Sequence, residues 1–109
     1  MQRKDMLEDI FKKQKEYESV LNLSISAEER IKQISMAIHV EASELVNTTR
    51  WKWWKKRAKW TPDLAFDELI DLLHFTISGC LAIGKNANEL YNGYLKKNQI
   101  NRKRQEEGY

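Results

Sequence analysis

The chain has 109 residues, 41% of them hydrophobic and 32% charged, with a net charge of +3. That length favours one domain, residues 1–109, and the apolar fraction excludes wholesale disorder. A single Pro and four Gly argue against a many-turned β fold, while one cysteine, Cys80, excludes an intrachain disulfide and a Cys-based zinc site.

Met1 to Lys4 is charged and no apolar leader region follows; no apolar stretch is long enough to span a bilayer. The expectation is a cytoplasmic protein with no membrane partner, in which Cys80 is a buried, reduced thiol. The first helix is predicted from about Lys4 to Leu21, with Met6, Leu7, Ile10, Phe11, Tyr17, Val20 and Leu21 along its apolar side. Asn22 to Ser26 breaks the pattern. Ser26 with Glu29 reads as a capping box that opens a second helix from Ala27 to Val46 or Asn47.

That second helix carries an anomaly. Ile31, Ile34, Ile38 and Leu45 form one stripe at three- and four-residue steps, and Glu41 fills the one gap in it. Glu44 emerges one turn further along the same face.

Thr48 to Trp60 lacks periodicity and reads as a loop. Within it, Trp51, Trp53 and Trp54 lie among Arg50, Lys52, Lys55, Lys56 and Arg57. The cations suit phosphates and an indole face suits a base, although Trp side chains also seal helix bundles and interfaces. Thr61-Pro62 marks the start of a third helix that runs to Ile83 and stops at Gly84. From Leu69 to Ile83 it is apolar on nearly every side, as an interior helix would be. Glu68 and Asp71 interrupt it three residues apart, with Leu64, Leu72 and Phe75 flanking them, and His74 reads as a satisfied core histidine. Asn86 with Glu89 opens a fourth helix, which extends to about Arg104.

Four acids facing inward on two helices, with no Lys or Arg on those faces, create an electrostatic conflict. An unpaired buried carboxylate costs several kcal/mol, so such groups are protonated, paired or metal-bound. A divalent cation relieves it. An all-oxygen donor set favours Mg2+, with Mn2+ as the alternative, and Mg2+ commonly shares its coordination with substrate phosphates. A single acid pair at this spacing is ordinary solvated surface; two pairs set into apolar stripes are not.

Taken together, Glu41-Ala-Ser-Glu44 and Glu68-Leu-Ile-Asp71 match the Glu-x-x-Glu and Glu-x-x-Asp signature of the MazG-like all-α NTP pyrophosphatase superfamily. With the Trp51-Lys52-Trp53-Trp54-Lys55 loop, the His74-Phe75 continuation into Ser78-Gly79, and the tail from Tyr94 to Tyr109, the chain resembles the dimeric all-α deoxyuridine triphosphatases. The resemblance implies a four-helix MazG-like bundle assembled as a homo-oligomer, dimer or tetramer. It also implies Mg-dependent hydrolysis of dUTP to dUMP and pyrophosphate. Glu41, Glu44, Glu68 and Asp71 would hold the metal, with Glu41 or Glu44 serving the attacking water. Lys97, Asn101, Arg104 and Tyr109 would contact phosphates, and Gln14 and Trp51 would meet the base. In the first helix, Tyr17 and Glu18 stand where the family has Leu and Asn.

Three competing readings follow from the same residues. One is a MazG-like or dCTPase-like enzyme acting on another nucleoside triphosphate. A di-iron carboxylate bundle is suggested by Asp71-x-x-His74, although such sites need two acid-x-x-His pairs from facing helices. The third is a basic helical nucleic-acid-binding module, against which the four inward acids argue by repelling a polyanion.

Overall fold

The structure, a computed structural model, describes residues 5–21, 24–56 and 59–108. Four helices account for most of them: α1 (Met6–Ser19), α2 (Ala27–Asn47), α3 (Pro62–Ala82) and α4 (Ala87–Glu106), with no strand among the described residues. The all-α expectation is met.

Each helix starts on a local signal. Asp5 accepts from the Glu8 amide at the head of α1, and Ser26 does the same for Glu29 in α2, both at 3.1 Å. Only the forward half of the Ser26 capping box forms, because the Glu29 carboxylate turns to Lys32 at 3.7 Å. Thr61 occupies the cap position of α3 without a side-chain cap bond. Pro62 presets the helical φ there and has no N–H to satisfy. In α4 the box is complete, with Glu89 N donating to Asn86 Oδ1 at 2.8 Å and Asn86 N to Glu89 Oε1 at 3.2 Å.

The ends depart from expectation by one or two residues. α1 stops at Ser19, where Val20 and Leu21 donate back to Tyr17 and Glu18 in a tight terminal turn. α3 ends at Ala82 because Gly84, at φ 74°, closes a Schellman motif: Lys85 N donates to Cys80 O at 2.9 Å and Gly84 N to Leu81 O at 3.1 Å. α4 continues two residues past Arg104 to Glu106.

α2 and α3 form an antiparallel hairpin. Ile31 and Ile34 face Gly79 at one end, and Glu41 meets Glu68 towards the other. α1 packs on α3, while the start of α4 packs on α1 and shares a core with the end of α3. A small core joins them, with Phe11, Ile77 and Ala87 at its centre and Leu7, Cys80, Leu81 and Leu90 around it. Cys80 is a free, half-buried thiol whose pKa is raised by burial.

One expectation fails in a telling way. α3 is not interior, because Leu69, Ile70 and Leu73 are exposed. The radius of gyration is 17.4 Å, against about 13 Å for a compact domain of this length. No helix among the described residues is long and apolar enough to cross a membrane.

Candidate active site

The hairpin brings the two acidic pairs together. Oxygens of Glu41 from α2 and of Glu68 and Asp71 from α3 lie within 4.8 Å of one another. The Glu41 position follows from the stripe read in the sequence: Ile34 is buried, Ile31, Ile38 and Leu45 are half-buried, and so is Glu41 between them. Glu68 is also half-buried, and its Oε2 is cut off from solvent with no hydrogen-bond partner.

The expected convergence of four inward acids is only partly realised. Asp71 joins the cluster but is exposed, and Glu44 is exposed and lies outside it. The physical reason is position: three residues on from Glu41, Glu44 is rotated about 60° round α2, away from the side that faces α3. Its charge still reaches Glu68. The Glu68 carboxyl is raised above the ordinary carboxylate range, first by burial, then by a hydrogen bond shared with Glu41, and then by the charges of Asp71, Glu41 and Glu44.

No Lys or Arg relieves this cluster among the described ion pairs. An orphaned buried oxygen, converging carboxylates and an acid pushed towards its protonated form together fit a divalent cation with oxygen ligands. Two ligands of one Mg2+ at 2.0–2.1 Å stand at most about 4.2 Å apart. Small side-chain rotations would therefore close the cluster on one ion. No histidine takes part. His74 is exposed, not a core residue, and its Nδ1 donates to Gln14 Oε1 at 2.9 Å; His39 Nδ1 donates to Ser35 O at 2.8 Å. The acid-x-x-His pairs of a di-iron site are thus not assembled.

The other expected site residues stand apart from the acids. Gln14 is buried with its amide oxygen committed to His74. Trp51 donates from Nε1 to Asn47 Oδ1 at 3.0 Å and meets the edge of Trp54 at 5.6 Å, with Lys52 Nζ 5.9 Å from its ring. Trp53 crowds Trp54 in turn at 4.6 Å and is itself 85% exposed, so the indoles form a surface cluster and do not seal the core of this chain. Lys97, Asn101 and Arg104 lie on the exposed length of α4, beyond its core residues Ala87 and Leu90. Tyr109 and Arg57 lie outside the described residues.

Sequence reasoning missed a polar network further down α3. Ser78, buried, donates to Glu18 Oε1; Arg30 Nη2 donates to Ser78 Oγ at 3.1 Å and pairs with Glu18 at 3.5 Å. Spacing puts Glu18 one turn after Gln14 and Ser78 one turn after His74, but it does not say that the two helices meet there. The network borders an open groove of about 1330 Å³ where α1, α3 and the start of α4 diverge, away from the acids.

A helical hairpin that gathers carboxylates with no Lys or Arg paired to them among the described residues is an all-α acidic site suited to a divalent metal. The chain belongs to the dUTPase family, whose model matches residues 6–90. It is similar to a dCTP pyrophosphatase of Enterobacteria phage T4, 32% identical over 71 residues that cover 54% of this chain and 42% of the relative. It is also similar to a dCTP pyrophosphatase of Enterobacteria phage LZ5, 38% identical over 71 residues that cover 54% and 41%. The chain therefore spans about two fifths of the length of these curated relatives. No solved structure matches it. The match to the family ends where the exposed length of α4 begins.

Proposed function

We propose that the protein is a Mg-dependent nucleoside triphosphate pyrophosphatase that converts dUTP to dUMP and pyrophosphate. The observation that carries this reading is the convergence of Glu41, Glu68 and Asp71 around the orphaned Glu68 Oε2, with no Lys or Arg paired to them among the described residues. Family membership supports it.

Glu41, Glu68 and Asp71 would hold Mg2+, or Mn2+, with Glu44 completing the set from the rim. The bound ion would neutralise charge on the phosphate chain. Glu44, exposed and one turn from Glu41, is the carboxylate best placed to orient the attacking water and take its proton; Glu41 is the alternative. The water oxygen bonds to phosphorus as the α–β anhydride bond breaks, and pyrophosphate leaves. Gln14 and Trp51 would contact the base, while Lys97, Asn101, Arg104 and Tyr109 would bind phosphates.

A second substrate has specific support, since both similar phage proteins are dCTP pyrophosphatases. Pyrophosphate release from dUTP, dCTP, dTTP and ATP, with Mg2+ and with EDTA, tests both readings. Turnover of dUTP that depends on Mg2+ is expected. Preference for dCTP would move the substrate assignment, and no turnover of any nucleotide would overturn the enzyme reading. The protein would act in the cytoplasm as a homo-oligomer of two or four chains, because its exposed apolar surface is larger than one small domain leaves uncovered.

A further inference from the structure

The segment between α2 and α3 carries more than the acid site uses. Residues 45–62 hold all four Trp of the chain, six of its 19 Lys and Arg, and none of its 16 Asp and Glu, so the rest of the chain is net negative. Water-facing loops are ordinarily polar, and an indole is among the largest apolar side chains.

The fold nevertheless keeps these rings outside. Trp53 is 85% exposed and Trp54 60%. They are also held in place. Lys55 N donates to Lys52 O at 3.2 Å across a tight turn, Trp51 is tied to Asn47, and Trp54 meets Trp51 and Trp53 at close to right angles. Arg50, Lys55 and Lys56 are exposed beside them and join no ion pair among the described residues. One turn therefore presents wet π-faces and uncompensated positive charge together.

The arrangement of the rings decides what fits. An anionic membrane surface takes a continuous apolar face with cations on the opposite side. Here cations alternate with rings that stand at right angles, so no such face exists. A duplex hides its base faces in its own stack. A single strand exposes phosphates and base faces at once, and every base can stack on an aromatic ring whatever its sequence. The acids do not oppose a strand here. Glu41 and Glu68 are half-buried between α2 and α3, whereas the turn lies beyond the end of α2 at Asn47. Exposed Glu44, one turn before Asn47, repels a strand from running along the hairpin and keeps the contact short.

We propose that the turn from Arg50 to Lys56 is a short binding site for single-stranded nucleic acid. Trp53 and Trp54 stack on bases, and Arg50, Lys55 and Lys56 meet phosphates. Trp51, which the pyrophosphatase reading gives to the substrate base, is not needed. The inference goes beyond that reading and does not rest on it.

The test uses the full chain in EDTA, so that neither metal nor hydrolysis contributes, and a labelled oligothymidylate of about 20 nucleotides, longer than the usual site. Fluorescence anisotropy is expected to show binding that weakens between about 50 and 200 mM salt, with a log–log slope near −2 for three phosphates. Lys55→Gln/Lys56→Gln should bring that slope to about −1. Trp53→Ala/Trp54→Ala should weaken binding by about 30-fold or more, with circular dichroism unchanged because both side chains are exposed. Should that variant fail to fold, the wild type supplies the same readout. Every Trp lies in this segment, so quenching of intrinsic emission by the strand reports the contact directly. Overturning results are equally plain: no salt-dependent binding, no quenching, undiminished binding by a folded Trp53→Ala/Trp54→Ala chain, or equally tight binding of a duplex or of phosphatidylserine vesicles.

Discussion

Glu68 concentrates the electrostatics of the acid cluster in one side chain. Its raised pKa comes first from burial and then from Glu41, Asp71 and Glu44. A carboxyl whose pKa rises on folding contributes stability that is fully present below its unfolded pKa and is lost as pH rises through the folded one. Without metal, Glu68→Gln should therefore be more stable than wild type at neutral pH, and the difference should shrink on acidification into the carboxylate range. Thermal melts in EDTA across pH measure this, and a gap that stays constant would contradict the assignment. Glu44 carries a different prediction. Because it is exposed and outside the cluster, Glu44→Gln should keep the circular dichroism intact while turnover falls about 10²–10⁴-fold, the usual contribution of a general base. Glu41 was legible in the sequence because periodicity reserves its position for an apolar residue. The Glu18–Ser78–Arg30 network was not, since nothing in local spacing says that residue 30 meets residue 78.

At the scale of the element, α3 carries two glycines with opposite needs. Gly79 lies inside the helix, where an added Cβ would meet Ile31 Cδ1 at 3.8 Å and Ile34 Cγ2 at 3.9 Å, both ordinary contacts. Gly79→Ala should thus raise stability by about 0.5–1 kcal/mol, the usual difference in a helix interior. Gly84 sits at φ 74° and closes the Schellman turn, so Gly84→Ala should lower stability by about 1–2 kcal/mol. Urea midpoints at a fixed slope read both changes, and equal signs would contradict the account. Helix boundaries were readable here because Ser26, Pro62, Gly84 and Asn86 act through their immediate neighbours. The environment of Leu69, Ile70 and Leu73 was not, because an all-round apolar helix reads the same whether its own chain or another one covers it.

For the whole molecule, the exposed apolar residues of α3 and α4 make folding and association one problem. Only Phe11, Ile34, Ile77 and Ala87 are buried hydrophobic residues among the described ones. A core that small supplies little of the roughly 5–15 kcal/mol by which domains are stable. Much of the apolar area that could stabilise the fold is therefore exposed in the single chain. Melting should then depend on protein concentration, since mass action favours the assembled state. The midpoint is expected to rise by several degrees as the chain is taken from about 1 to 100 µM. Sedimentation over the same range should show a dimer or tetramer at the upper end. A concentration-independent midpoint together with a monomer throughout would mean that the small core suffices, and the exposed faces of α3 and α4 would then need another explanation. Substituting Leu69→Glu/Leu73→Glu on the exposed side of α3 should lower the midpoint most at high concentration, where an assembly would be populated. That pattern separates a lost interface from a damaged fold, which would lower the midpoint equally at every concentration.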